Sequence, residues 1–333
     1  MLPIGVVIPT RNSASLVPEH LETMRDWLDQ VQEVVVVDSF SKDGTLELLK
    51  AGLRHSDLRI LDHPPGLYQS WNYGIAQIKS EYCYVSTVGD AITREGLEHL
   101  AEVIARLRSD VVISKPRFID VNGGPISSPR WPIDDVTSTL RVREPIALSE
   151  LGLFLFTLVN YRDAILGSSA SNLYRTRCLQ EKPFPVDYGT AGDGGWGLEH
   201  CLKIRLAVTP RVFSNIREHP KSYSKAEYAV DQMSRKMLDR VCRTYREAAA
   251  RSPEFAQSAK AVQVERMIEL IEEQLVWQQR LEEYRRRSIW VFRPGAWKAR
   301  MARNANGREI GRLKEAGAAK LLAMPPKTAE NQL

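Results

Sequence analysis

Apolar and polar positions in the first 115 residues switch repeatedly between two periods. The runs Ile4-Gly5-Val6-Val7-Ile8 and Glu33-Val34-Val35-Val36-Val37 are rich in β-branched residues and too short for helices, so they read as buried parallel strands. Between them Leu21, Met24, Leu28 and Val31 recur at helical spacing, which completes a β-α-β unit. Leu58-Arg59-Ile60-Leu61, Tyr82-Cys83-Tyr84-Val85-Ser86 and Val111-Val112-Ile113-Ser114 predict three further strands. Helices are expected around Leu46, Leu48 and Leu49, from Tyr68 to Ile78, and from a Thr93 cap to about Arg108. Strand and helix thus alternate as in an α/β sheet covered on both faces.

The pattern weakens beyond this point. Asn122-Gly123-Gly124-Pro125 is a turn, and the polar stretch through Val142, with Pro129, Trp131 and Pro132, reads as a long functional loop. An apolar segment, Leu151 to Val159, precedes a strand at Asn172-Leu173-Tyr174-Arg175. Four glycines follow between Gly189 and Gly195, predicting mobile or tightly turned backbone beside Asp193 and Trp196. A helix from Gly197 to Leu206 and a strand from Ala207 to Phe213 are expected to end the first domain. From Lys225 the pattern is helical, with Ser252 as a cap and Pro253 at the first helical position. Val264, Ile268, Ile271 and Leu275 form one apolar stripe on a charged helix. The expected organisation is an α/β domain over 1–224, a basic helical region over 225–324 and a disordered tail over 325–333.

Charge changes this picture in one place. Of the net +5, the stretch from Arg285 to Lys320 contributes eleven Lys or Arg against two Glu, so the remainder of the chain is slightly acidic. Basicity confined to a tail is not the footprint of a nucleic-acid protein, and no nucleic-acid partner is expected. Ile289-Trp290-Val291-Phe292 and Trp297 lie among those arginines. The mix suits a segment on an anionic membrane surface; a solvated charged helix or an oligomer contact between C-terminal helices is the alternative. With no long apolar run and no start resembling a signal peptide, a cytoplasmic protein is expected, peripheral at most to the inner face of the membrane. Cys83, Cys178, Cys201 and Cys242 are too scattered for a zinc site or a disulfide framework.

Ligands of open α/β sheets bind beyond the carboxyl ends of the strands, where this chain places Pro9-Thr10-Arg11-Asn12 and the carboxylate of Asp38. A nicotinamide enzyme would carry G-x-G-x-x-G after the first strand, which is missing here. Val7-Ile8-Pro9-Thr10-Arg11-Asn12, Val35-Val36-Val37-Asp38-Ser39-Phe40-Ser41-Lys42-Asp43-Gly44-Thr45 and Gly66-Leu67-Tyr68-Gln69-Ser70-Trp71-Asn72-Tyr73-Gly74-Ile75 are three ordered elements. Together they resemble the opening motifs of the family 2 glycosyltransferases, nucleotide-sugar-dependent enzymes of the GT-A fold. The resemblance covers roughly residues 3 to 215.

The resemblance implies a GT-A mixed sheet with helices on both faces and a C-terminal helical appendage. It further implies a nucleoside-diphosphate sugar donor and a saccharide or lipid-linked acceptor, in building a bacterial surface polysaccharide, lipopolysaccharide or glycolipid. By the same resemblance Pro9, Thr10, Asn12, Asp38, Trp71, Asn72 and Asp90 line the donor site, with the Asp38 carboxylate accepting a base N–H; capping the following turn is the plain alternative for Asp38. The family's acidic metal motif is reduced here to Thr87-Val88-Gly89-Asp90, so one carboxylate remains to hold Mg or Mn. His219 and Lys221 are candidates for the diphosphate, with an ordinary surface histidine as the alternative reading of His219. Asp193 corresponds to the family's general base for an inverting transfer, with Glu199 in reserve; both could instead serve helix α-termini or faces. Trp196, Trp131 and Tyr188 offer faces for a sugar ring or belong to the core. A non-catalytic nucleotide-sugar-binding or scaffold protein of the same fold is the competing reading.

Overall fold

The computed structural model describes residues 1–127, 131–217, 230–286 and 294–323. Its first half follows the β-α alternation. Strands β1 (Ile4–Thr10), β2 (Glu33–Asp38), β3 (Leu58–Asp62) and β4 (Tyr82–Val85) are separated by helices α1 (Val17–Met24), α2 (Thr45–Gly52) and α3 (Leu67–Gln77). A short β5 (Ala91–Ile92) leads into α4 (Arg94–Arg106), where the Thr93 hydroxyl accepts the Gly96 N–H at 3.1 Å as a cap. Then come β6 (Val111–Ser114), β7 (Arg117–Ile119), α5 (Pro132–Thr139), β8 (Ile146–Ala147) and α6 (Glu150–Val159). The domain continues through β9 (Asn172–Arg175), α7 (Thr176–Glu181), α8 (Gly192–His200), β10 (Leu206–Thr209) and β11 (Ser214–Arg217).

The main sheet has eight strands in the order β3-β2-β1-β4-β9-β6-β10-β8. Pairs β1–β2, β1–β4, β2–β3 and β6–β10 are parallel, whereas β9 runs antiparallel between β4 and β6, and β8 is an antiparallel edge. The sheet is therefore mixed. A small sheet, β5-β11-β7, stands apart from it. Strand β2 is buried along its whole length, consistent with its unbroken valine run between covered faces. Gly74 lets α3 lie directly on the sheet: a Cβ there would come within 2.5 Å of Val7 and 2.9 Å of Val37.

Helices α9 (Val230–Arg251), α10 (Pro253–Ala261), α11 (Val264–Arg286) and α12 (Pro294–Ala323) form the C-terminal region. Ser252 caps α10 by accepting the Phe255 N–H at 3.1 Å. These helices pack around α6, whose Leu151 to Leu158 are all buried; a helix apolar on every side needs cover all round. One continuous apolar cluster runs from Val7 and Val35 on the sheet through Phe154 and Phe156 to Leu275 and Leu313.

Three expectations change. The stretch predicted as loop from 119 to 142 contains α5, started by Pro132 and by Asp134, whose carboxylate accepts the Trp131 N–H at 3.1 Å. Helix α8 begins at Gly192 rather than Gly197, so the glycine cluster is largely helical. The strand expected over 207–213 stops at Thr209, the end of β10; residues 210–213 are not strand and lead to β11, which joins the small sheet. The tail beyond 323 lies outside the described residues, as does the segment Ile289-Trp290-Val291-Phe292.

Candidate functional site

The parallel register of β1 and β2 sets Thr10 directly opposite Asp38, at the carboxyl ends of both strands. The loops leaving them are laced together. Ser41 donates to Asp38 twice, from its N–H to Oδ2 at 2.9 Å and from its hydroxyl to Oδ1 at 2.5 Å. Asn12, in the left-handed region at φ 49°, donates its N–H to Ser41 Oγ at 2.9 Å and accepts the Lys42 N–H on Oδ1 at 2.9 Å. Asp43 takes the Ala14 N–H at 3.0 Å and the Thr45 hydroxyl at 2.5 Å, and these contacts hold its carboxyl below the usual range. Asp38 thus does cap its turn, yet each carboxylate oxygen retains a lone pair for a further donor. The buried Thr10 Oγ1 has no hydrogen-bond partner among the described residues, leaving a hydroxyl to offer at the crevice floor. Pro9 is half-buried beside it.

Asp90 sits on the turn that leaves β4, the strand on the other side of β1. Its Oδ1 accepts the Arg217 N–H at 3.2 Å, and burial, opposed by Arg217, pushes its pKa up to about 7. Arg217, itself buried, also donates to the carbonyls of Asp120 at 3.1 Å and Val121 at 2.7 Å and pairs with Glu19. His20 stands behind the turn, its neutral ring donating from Nδ1 to the Asp90 carbonyl at 3.1 Å and meeting Ser86 Oγ through Nε2 at 3.2 Å. Burial holds its pKa down at about 4, so the imidazole stays uncharged near neutrality. Among the described residues no three His, Cys, Asp or Glu side chains gather as a metal cage. A lone carboxylate fits a hard cation that shares its ligands between protein and substrate phosphates, which is how Mg is commonly held.

Helix α3 follows β3, so its first turn rises from the same end of the sheet. Tyr68 on that turn donates its hydroxyl proton to the Thr190 carbonyl at 3.2 Å and stands beside Asp193, the second residue of α8, whose ionised form it favours. Asp193 Oδ1 accepts the Gly194 N–H at 2.7 Å. Burial nevertheless raises its pKa to about 6, against these hydrogen bonds. The glycines around it serve close packing: a Cβ on Gly192 would meet the Tyr68 ring at 2.5 Å, and one on Gly195 the Tyr188 ring at 2.6 Å.

Trp71 and Asn72 lie on α3 at the core side. Trp71 packs edge-on against Tyr68 and Phe184 with its Nε1 unpartnered among the described residues, and Asn72 ties to the Phe184 backbone in both directions, at 2.8 and 2.9 Å. Trp196 and Tyr188 are fully buried, so neither presents a ring face to a sugar; Trp131 is half-buried against Phe118. Glu199 pairs with Arg240 at 3.0 Å. His219 and Lys221 lie outside the described residues. The crevice therefore brings Pro9, Thr10, Asn12, Asp38 and Asp90 to one end of the sheet, with Asp193 joined to that end through Tyr68. His20 and Arg217 were not singled out from sequence, and Ser41 and Tyr68 stood there only as members of the quoted motifs; a serine three residues after Asp38 was the one local signal available.

Residues 5–160 match the family model "Glycosyl transferase family 2", and the chain carries a glycosyltransferase domain of that family. Over 170 residues it is 29% identical to the poly(ribitol-phosphate) beta-N-acetylglucosaminyltransferase TarS of Staphylococcus aureus strain MW2, a match covering 49% of this chain and 29% of TarS. It is 27% identical over 124 residues to the glycosyltransferase GlyG of Streptococcus pneumoniae serotype 4, covering 36% of this chain and 41% of that one. The matched segments thus span 29% and 41% of the two relatives' lengths. The crystal structure of S. aureus TarS 1-349 with UDP-GlcNAc superimposes with a TM-score of 0.52 at 19% identity, covering 94% of this chain and 92% of that chain. The fold is accordingly GT-A. Among the described residues no helix is long and apolar enough to cross a membrane.

Proposed function

We propose that this protein transfers a sugar from a nucleoside diphosphate to an acceptor hydroxyl, with inversion at the anomeric carbon. The observation that carries the reading is Asp193, a carboxylate at the start of α8 with a pKa raised to about 6, beside Tyr68 at the end of the sheet where Thr10 stands opposite Asp38. A base with that pKa is ionised at neutral pH yet strong enough to accept a proton as the hydroxyl attacks. In the transfer Asp193 takes the acceptor proton, the acceptor oxygen bonds to the anomeric carbon, and the bond to the diphosphate breaks as the nucleoside diphosphate departs. The base sits in the crevice with its N–H accepted by the second lone pairs of Asp38, while Thr10 and Asn12 hold its surroundings. Asp90 would hold a divalent cation, which when bound supplies positive charge to the leaving diphosphate.

The relatives named for N-acetylglucosaminyl transfer make UDP-GlcNAc the first donor to test, and assembly of a bacterial surface polymer the setting. The exposed Trp297 and Met301 on the basic helix α12 suit a peripheral seat on an anionic membrane. Asp193→Asn, which keeps the side chain's size, is expected to abolish release of UDP in the presence of acceptor while the UDP-GlcNAc-induced thermal shift persists. A variant that turns over normally would remove Asp193 as base, and a wild-type protein that binds donor but never turns over would favour a binding or scaffold role.

A further inference from the structure

The turn that leaves β2 holds one residue in a conformation its type avoids. Phe40 has a φ of 56°, in the left-handed region where a bulky side chain is crowded and glycine or asparagine is the usual occupant. Its backbone is fixed there from both sides. Ser39 donates its N–H to the Thr10 carbonyl at 2.9 Å, extending the β1–β2 ladder by one bond, and its hydroxyl shares a hydrogen bond with that of Ser70 on α3 at 2.9 Å. Ser41, on the other side, is tied to the Asp38 carboxylate and to the Asn12 N–H. Phe40 thus stands at the tip of the turn that Ser41 closes onto Asp38.

Packing accounts for only part of this ring. Phe40 is 52% exposed and makes no ring contact among the described residues, whereas Tyr73, an exposed ring on α3, lies against His63 at 5.1 Å. Strain of this kind persists where the surroundings impose it, and it gathers at ligand sites. We propose that the Phe40 ring lies against the face of the donor's nucleobase, while Asp38 two residues earlier takes its edge. The inference rests on the reading of this crevice as the donor site and adds the residue that grips the base by its flat side. A hydrogen bond to Asp38 fixes one edge of a base but leaves both faces to water. A stacked aromatic ring covers one of them, and it tolerates any base because every base has a π-face. Phe40 therefore supplies affinity, and Asp38 the choice among bases. The same left-handed turn brings Ser41 back onto Asp38, so the ring and the carboxylate are presented together.

The test measures, on the full chain, calorimetric affinity for UDP, GDP, CDP and dTDP, together with the melting temperature without ligand, for the wild type, Phe40→Gly and Phe40→Tyr. Glycine adopts a φ of 56° without crowding, so Phe40→Gly is expected to melt no lower than the wild type yet to bind the preferred nucleotide about tenfold or more weakly. Phe40→Tyr keeps the ring and is expected to bind like the wild type. Unchanged affinity in Phe40→Gly would overturn the proposal, as would a melting temperature that falls along with the affinity, or a loss in Phe40→Tyr equal to that in Phe40→Gly. A wild type that binds none of the four nucleotides would instead refute the reading of the crevice as a donor site.

Discussion

The sharpest consequence of the site concerns the protonation of Asp193. Its carboxyl rises from the ordinary 3.8 to about 6, chiefly through burial, and the Gly194 N–H and the neighbouring Tyr68 hydroxyl oppose that rise. At pH 7 about nine-tenths of the molecules then carry the base ionised, and at pH 5 about one-tenth. With Asp193 as general base, kcat/KM is expected to fall about tenfold per pH unit below 6. Tyr68→Phe leaves the buried ring in place and removes the donor, so the acidic limb should move to higher pH. The same shift is visible in stability. Between about pH 4 and 6 the folded protein holds a proton that the unfolded chain has released, so stability falls as pH rises through that window and is flat above it. The span from 3.8 to about 6 corresponds to about 3 kcal/mol. Asp193→Asn removes that cost, so at pH 8 the inactive variant should withstand more urea than the wild type, by up to about 3 kcal/mol. A pH–rate profile from released UDP and urea titrations at pH 5 and pH 8 test both halves. An acidic limb near 4, or one that Tyr68→Phe leaves in place, would refute the account.

Two further variants probe the frame around the site. Lys314 of α12 pairs with Asp135 of α5, both largely buried, and Asn160 donates to the same carboxylate at 3.3 Å. Lys314→Met is expected to lower unfolding free energy in urea by about 3 kcal/mol or more, with part restored when Asp135→Asn is added. Gly195→Ala forces a Cβ to 2.6 Å from the Tyr188 ring, so a loss of about 1–3 kcal/mol is expected in thermal denaturation; an unchanged melting temperature would deny that α8 packs this closely.

Much of the frame was legible in sequence for a physical reason. Short apolar runs rich in valine and isoleucine admit one reading, and the crevice follows from where two parallel strands end, so the Thr10–Asp38 pairing could be anticipated. The insertion of β9 between β4 and β6 could not, because four residues carry no period that names their neighbours. Helix α8 was placed late because its four glycines have the poorest propensity short of proline; close approach to Tyr68 and Tyr188, a tertiary effect, overrides it. Helix α5 had its signals, Pro132 and Asp134, masked by polar surroundings. The Arg217–Asp90 contact spans 127 residues and has no local trace.

The apolar cluster that joins Val7 to Leu313 has a practical meaning for protein engineering. The C-terminal helices are an obvious cassette to exchange between related chains. Because α6 is wrapped by those helices on one side and faces the sheet's cluster on the other, a graft cut at residue 224 would strip cover from Leu151 to Leu158 in the host and deny the cassette its seat. A working chimaera must carry α6 along with the cassette.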